Sequence, residues 1–355
     1  MKGLKIVFIA VVIIVLLVPS VFMLAGYRNP NRENRVLASL PKLFTKDGLN
    51  TAFFEKLDDY TEDHFAFRDH LTEGFNRTDI ALLGDVSSTN AVIGRDGCIF
   101  YGETVNDYLG IEQLTDAEIA SITNYLRDVQ ISFEAKGIRF AFIIAPDKAT
   151  VYPELMPAYL HPNDSPRSID LLQSALAESG VSFIDAKGIL ISAKEKRTVY
   201  YMEDSHWNNY GAMLVYNEAA RLFGLEEYDA EIFGTAVDRT GDLHSFVYPV
   251  SSHNEERIVY PLFHEWSSQR PIDFDRDKAV ETASDVNGST LLVYHDSFGR
   301  SLQPIFSQSV GSLFMNSYFP YDLTLADQAE PDFVIIEIVE RNLPWVYAHA
   351  ASLGY

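Results

Sequence analysis

Ile138-Arg139-Phe140-Ala141-Phe142-Ile143-Ile144-Ala145, followed by Pro146-Asp147-Lys148, is the stretch from which the fold is read. The run is apolar on alternate positions of both parities and is bounded by Gly137 and Pro146. That length suits a strand, and apolar character on both faces is the mark of a central strand in a parallel sheet. Just upstream, Thr115 to Lys136 carries Ile119, Ile122, Tyr125, Leu126 and Val129 at helical spacing, with Gly137 as the stop. Downstream, the pattern predicts a helix over Ser168 to Glu178 and a strand over Val181 to Ile184. A helix from Trp207 or Asn208 to Phe223 follows, then strands over Ser289 to Tyr294 and Phe333 to Val339. Helix and strand take turns, which predicts an α/β fold: a Rossmann-type, mainly parallel sheet flanked by helices, with ligands at the carboxyl ends of the strands. Residues 225–288 break the alternation and read as an irregular insertion near the site.

Working toward the N-terminus, residues 27–110 read as a linker and extension that packs on a catalytic domain at 111–355, with a helix near Thr51 to Leu57. Ile6 to Gly26 contains no charge, and about 20 apolar residues at a rise of 1.5 Å cross a bilayer. The run exceeds the hydrophobic core of a cleaved signal peptide and lacks an Ala-x-Ala site, so an uncleaved transmembrane anchor over 1–26 is expected. Lys2 and Lys5 before it and Arg28, Arg32 and Arg35 after it leave its orientation open.

Lys and Arg total 28 against 50 Asp and Glu, a formal charge of -22. Such a surface repels a phosphate backbone, which argues against nucleic acid and makes a neutral or weakly charged substrate the easier reading. Cys98 stands alone, no Cys/His spacing builds a zinc site, and no His-Glu-x-x-His occurs, so neither metal nor cofactor is expected.

Two segments carry chemistry. Tyr294-His295-Asp296-Ser297-Phe298-Gly299-Arg300 ends a predicted strand. A serine on such a turn presents its hydroxyl as a nucleophile beside its own backbone N–H, although serine also favours the helix N-cap. In Asp204-Ser205-His206-Trp207-Asn208 an Asp two residues before a His can hold Nδ1 and leave Nε2 to take a hydroxyl proton; Asp204 or Ser205 as a helix cap is the competing reading.

Taken together, Asp204-Ser205-His206-Trp207 with Gly211-Ala212, upstream of His295-Asp296-Ser297-Phe298, resemble the alginate O-acetyltransferase-like branch of the SGNH hydrolase superfamily, often called DHHW proteins. Further blocks fit that resemblance: Glu33-Asn34-Arg35 through Pro41, Asp63-His64-Phe65 with Arg68, Ile93-Gly94-Arg95-Asp96-Gly97, and Pro146-Asp147-Lys148 through Glu154. His295 stands where the family usually has glycine.

The resemblance implies an SGNH-like fold with Ser297, His206 and Asp204 as catalytic triad. It implies acetyl transfer to a polysaccharide outside the cytoplasm, beside a membrane-bound O-acyltransferase that supplies acetyl groups. It also brings Pro146-Asp147-Lys148 near the site, so that Lys148 is a substrate-positioning candidate or an ordinary loop lysine. Arg341, after the last strand, is a similar candidate, or the partner of Glu337 or Glu340 in a salt bridge. A carbohydrate acetylesterase with the same triad and a non-catalytic polysaccharide-assembly module are the alternatives.

Overall fold

The computed structural model describes residues 2–27, 37–46, 48–86, 90–273 and 277–355. It contains two compact units, Met1–Ser88 with His244–Ser252, and Thr89–Leu243 with His253–Tyr355. The Glu33-Asn34-Arg35 block and the arginines that flank the apolar N-terminal run lie outside the described residues.

In the second unit, seven strands form one sheet: β1 (Arg139–Ala145), β2 (Phe183–Ile184), β3 (Trp266–Ser267), β4 (Ala279–Ser284), β5 (Thr290–Tyr294), β6 (Ser312–Asn316) and β7 (Phe333–Val339). Their order is β2-β1-β7-β5-β6-β4-β3. The first five in that order are parallel, while β4 and β3 add on antiparallel. The sheet is the mainly parallel α/β arrangement expected from the strand and helix alternation, as the SGNH resemblance also implies. The segment read as irregular nevertheless supplies both antiparallel strands, which are short or half-exposed and so lack a continuous apolar run.

Burial on both faces explains why β1 is apolar from Phe140 to Ala145, its side chains alternating between two cores. Phe140, Phe142 and Ile144 pack with the helices Asp116–Glu134, Ser168–Ser179 and Leu343–Ser352. Ala141, Ile143 and Ala145 face the other way, into a core with Trp207, Met213, Tyr216 and Phe298 around the helix Asn209–Phe223. Thr115 opens the first of these helices with a capping box to Glu118.

The first unit holds the helix Lys2–Leu24, of which Lys5–Leu24 is long and apolar enough to cross a membrane by length and composition. The helix expected near Thr51 to Leu57 runs over Phe53–His64, and a second helix follows at Arg68–Leu83.

Candidate active site

The carboxyl ends of three neighbouring strands deliver the site: Asp147 follows β1, Glu340 and Arg341 follow β7, and Ser297 follows β5. The Asp204–His206 segment approaches from the loop before the helix Asn209–Phe223. That helix is capped by Asn208, whose side chain accepts from the Gly211 N–H, so neither Asp204 nor Ser205 is the cap. Ser297 sits at the start of the short 3₁₀ turn Phe298–Ser301 without a side-chain cap bond. Its hydroxyl is directed elsewhere.

His206 Nε2 lies 2.8 Å from Ser297 Oγ, and His206 Nδ1 lies 2.7 Å from Asp204 Oδ1. The three residues are thereby joined in the order a nucleophile, base and orienting carboxylate require. Asp204 is fully buried and also accepts the His206 N–H, which fixes the intervening loop. Phe298 packs against the imidazole with ring centroids 4.7 Å apart, and Trp207 donates to Phe298 O and Ser301 Oγ, tying the two segments together.

Sequence reasoning did not reach two charged residues of this site. Arg239 closes on the free oxygen of Asp204, with Nε at 3.0 Å and Nη2 at 2.6 Å from Oδ2. Asp242 accepts from Ser205 N at 2.7 Å and Ser205 Oγ at 2.6 Å, and its Oδ2 stands 3.4 Å from His206 Nδ1. Both come from the hairpin region that begins with Gly234–Arg239. The one signal for them in the sequence is Gly241: a Cβ there would lie 2.0 Å from Glu203 O, so only glycine lets this loop approach the triad segment.

Electrostatics follow from these contacts. Burial alone would push His206 down, but the carboxylates of Asp204 and Asp242 outweigh it and hold the imidazole up at about 9. Burial would raise Asp204, yet His206 and Arg239 keep it well below the usual carboxylate range. Asp204, His206 and Asp242 offer converging ligand atoms that could hold a metal ion, but the Arg239 guanidinium already serves as the cation beside Asp204.

Below the nucleophile, Asp296 is no member of the triad. It accepts from Phe298 N, Val339 N and Asn342 Nδ2 and so shapes the turn. Glu337, fully buried, accepts the Asp296 N–H, and burial followed by the charge of Asp296 pushes its carboxyl well above the ordinary range. His295 is accommodated without a glycine-only backbone, since among the described residues positive φ outside glycine occurs at Phe67, Asp96 and Glu330 and not at His295. Its buried ring turns toward Gly299, where an added Cβ would meet His295 Cβ at 2.4 Å.

Lys148 and Arg341 occupy structural places. The Lys148 ammonium is buried and donates to Ile99 O at 2.6 Å and Met202 O at 3.0 Å. Arg341 pairs with Asp147 Oδ1 at 2.6 Å, not with Glu337 or Glu340, and stacks over Phe298 and Tyr101. Two of the three ammonium donors are thereby spent on backbone carbonyls. Beside Ser297 opens a cavity of about 500 Å³ lined by His206, Tyr201, Tyr260, Phe263 and Arg300 among others. Aromatic walls of this kind suit a sugar ring.

Ser297, His206 and Asp204 thus stand at the carboxyl edge of an SGNH-like sheet in the arrangement that acyl transfer through a serine requires. Residues 91–268 match the family model described as SGNH hydrolase-like domain, acetyltransferase AlgX, and the chain belongs to that family. The matched stretch includes Asp204 and His206 and ends before Ser297. A curated relative, the probable alginate O-acetylase AlgJ of Pseudomonas aeruginosa, is 32% identical over 184 residues, which is 48% of this chain; the match spans 44% of that relative's length. Among solved structures, a DHHW family protein from Eubacterium siraeum superposes with a TM-score of 0.55 at 15% identity, covering 74% of this chain and 94% of that one. Bacillus cereus PatB1 gives 0.51 at 14%, covering 70% and 95%. At such identities these two likenesses speak for the fold.

Proposed function

We propose that the protein is an O-acetyltransferase that moves acetyl groups through an acetyl-Ser297 intermediate to hydroxyls of a polysaccharide outside the cytoplasm. The observation that carries this reading is the single imidazole that bridges Ser297 Oγ and the buried Asp204. His206 Nε2 takes the Ser297 proton as Oγ adds to the acetyl carbonyl; the tetrahedral intermediate collapses as the leaving group takes that proton back. A sugar hydroxyl then gives its proton to His206, attacks the acetyl-serine and leaves as the ester, returning the proton to Ser297. The Ser297 N–H, which no acceptor takes among the described residues, is the nearest backbone donor for the oxyanion. An acyl donor delivered by a membrane-bound O-acyltransferase, with the protein anchored through residues 6–26, completes the proposal; the AlgJ relative is named for alginate acetylation.

The test uses an activated acetyl ester with and without an acetyl-free oligosaccharide. Wild type is expected to release acetate slowly and to acetylate the sugar, and Ser297→Ala to lose both by on the order of 10⁴-fold. Acetate release unaffected by any sugar offered would make it an esterase. Full activity in the alanine variant would remove Ser297 from the mechanism.

A further inference from the structure

The helix Arg68–Leu83 is amphipathic in the inverse sense. Its buried residues are Asp69, Glu73, Asn76 and Asp79. Two of them meet residues of His244–Ser252: Asn76 Nδ2 donates to Val247 O at 2.9 Å, and Glu73 Oε2 accepts from Val250 N and Ser251 N at 2.8 Å each. Burial would raise the Glu73 carboxyl, but these donors with Ser251 and Arg77 hold it at about 2. With the polar face fixed inside, Leu71, Phe75 and Leu82 recur at helical spacing on the outside and are 42%, 58% and 76% exposed. Gly74, Thr78 and Ala81 fill the gaps between them, and the charges that border this outer face are the cations Arg68 and Arg77. The same unit exposes Phe44 and Leu49, which are partners across a two-stranded ribbon.

The place of this helix in its unit says what covers it. Phe67, directly before it, packs against Phe22 at 5.1 Å and Tyr27 at 4.8 Å between ring centroids, and those two residues close the apolar N-terminal helix. Phe67 adopts φ 60, a conformation an aromatic residue holds only when its surroundings fix it. The helix therefore starts where the membrane-spanning candidate ends, at the depth where aromatic side chains collect at a bilayer surface.

We infer that the Leu71-Phe75-Leu82 face of this helix lies on the lipid surface of the membrane that holds the anchor, as an interfacial helix. The inference rests on residues 6–26 being a membrane span and is independent of the catalytic reading. Lipid acyl chains near the interface cover the apolar stripe and headgroups meet the arginines at its edges, while the acids that anionic headgroups would repel are the ones turned inward.

The experiment reconstitutes the full chain into phosphatidylcholine vesicles with plain or brominated acyl chains and compares added tryptophans at Phe75→Trp, Leu82→Trp and Ile13→Trp against the wild-type background. Bromine is expected to remove most of the emission added at 75 and 82 as well as at 13, and aqueous acrylamide to leave it largely intact. Quenching at 13 but not at 75 or 82 overturns the inference: acrylamide quenching then means the face is in water, and shielding from both quenchers means that a second copy or another protein covers it. Absence of bromine quenching at 13 removes the span and the inference with it. Ester hydrolysis by the same vesicles reports separately on Ser297.

Discussion

Asp242→Asn is expected to shift the pH dependence of acyl transfer downward. His206 must be neutral to accept the Ser297 proton, and Asp204 and Asp242 hold it up at about 9 against the effect of burial. The rate therefore climbs about tenfold per pH unit until it levels near that value. Asp242 Oδ2 stands 3.4 Å from His206 Nδ1. A unit charge at that distance is worth about 1.2 kcal/mol in bulk water and about 5 kcal/mol at an effective dielectric of 20. Because the Asp242 side chain is 42% exposed, solvent screening favours the lower end, about 1–2 kcal/mol, which corresponds to about one pH unit. The asparagine side chain keeps an acceptor for the Ser205 N–H, so the loop is retained. The assay is hydrolysis of an activated acetyl ester from pH 6 to 10. A midpoint that stays in place or moves upward would refute the role of Asp242. Stability carries the same sign: a histidine whose folded pKa is raised contributes stabilisation that is full below about 6.5 and lost as pH rises through about 9. Tm is thus expected to fall across that window, and less steeply in Asp242→Asn.

Arg239→Ala leaves one oxygen of the buried Asp204 without its guanidinium; a loss of about 3 kcal/mol in chemical denaturation is expected, together with most of the activity, and Arg239→Lys restores little because an ammonium cannot supply the two-pronged contact. Lys148→Met removes the donor to Ile99 O and Met202 O, which predicts about 1–3 kcal/mol of destabilisation with an unchanged KM for the acceptor; a rise in KM without loss of stability would return Lys148 to substrate binding. Gly299→Ala places a Cβ 2.4 Å from His295 Cβ and is expected to abolish ester hydrolysis, with activity recovered in the double variant His295→Gly/Gly299→Ala; failure of that rescue would show that Gly299 is needed for some other reason.

What the sequence discloses depends on whether a residue's partners are near it in the chain. Strands β1, β5 and β7 are legible because burial on both faces writes an uninterrupted apolar run, and the helix Asp116–Glu134 because its buried residues keep helical spacing. The helix Arg68–Leu83 escapes the same rule since its acids face inward and its leucines outward, which erases the expected contrast. At the site, Asp204 and His206 are two residues apart and announce their pairing, and Ser297 is marked by the strand it follows. Arg239 lies 35 residues from the carboxylate it binds, in a hairpin whose burial pattern lacks the strand period of two, so no local signal gives it away. The division has a functional sense. The groups proposed to touch the reacting atoms are set by short motifs, one after a strand and one before a helix, whereas Asp242 and Arg239, which add to the charge balance of His206 and Asp204, arrive on an inserted loop that Gly241 allows to close over Glu203. A change in that loop can therefore retune the pH at which the base works while Ser297, His206 and Asp204 stay where their own segments hold them.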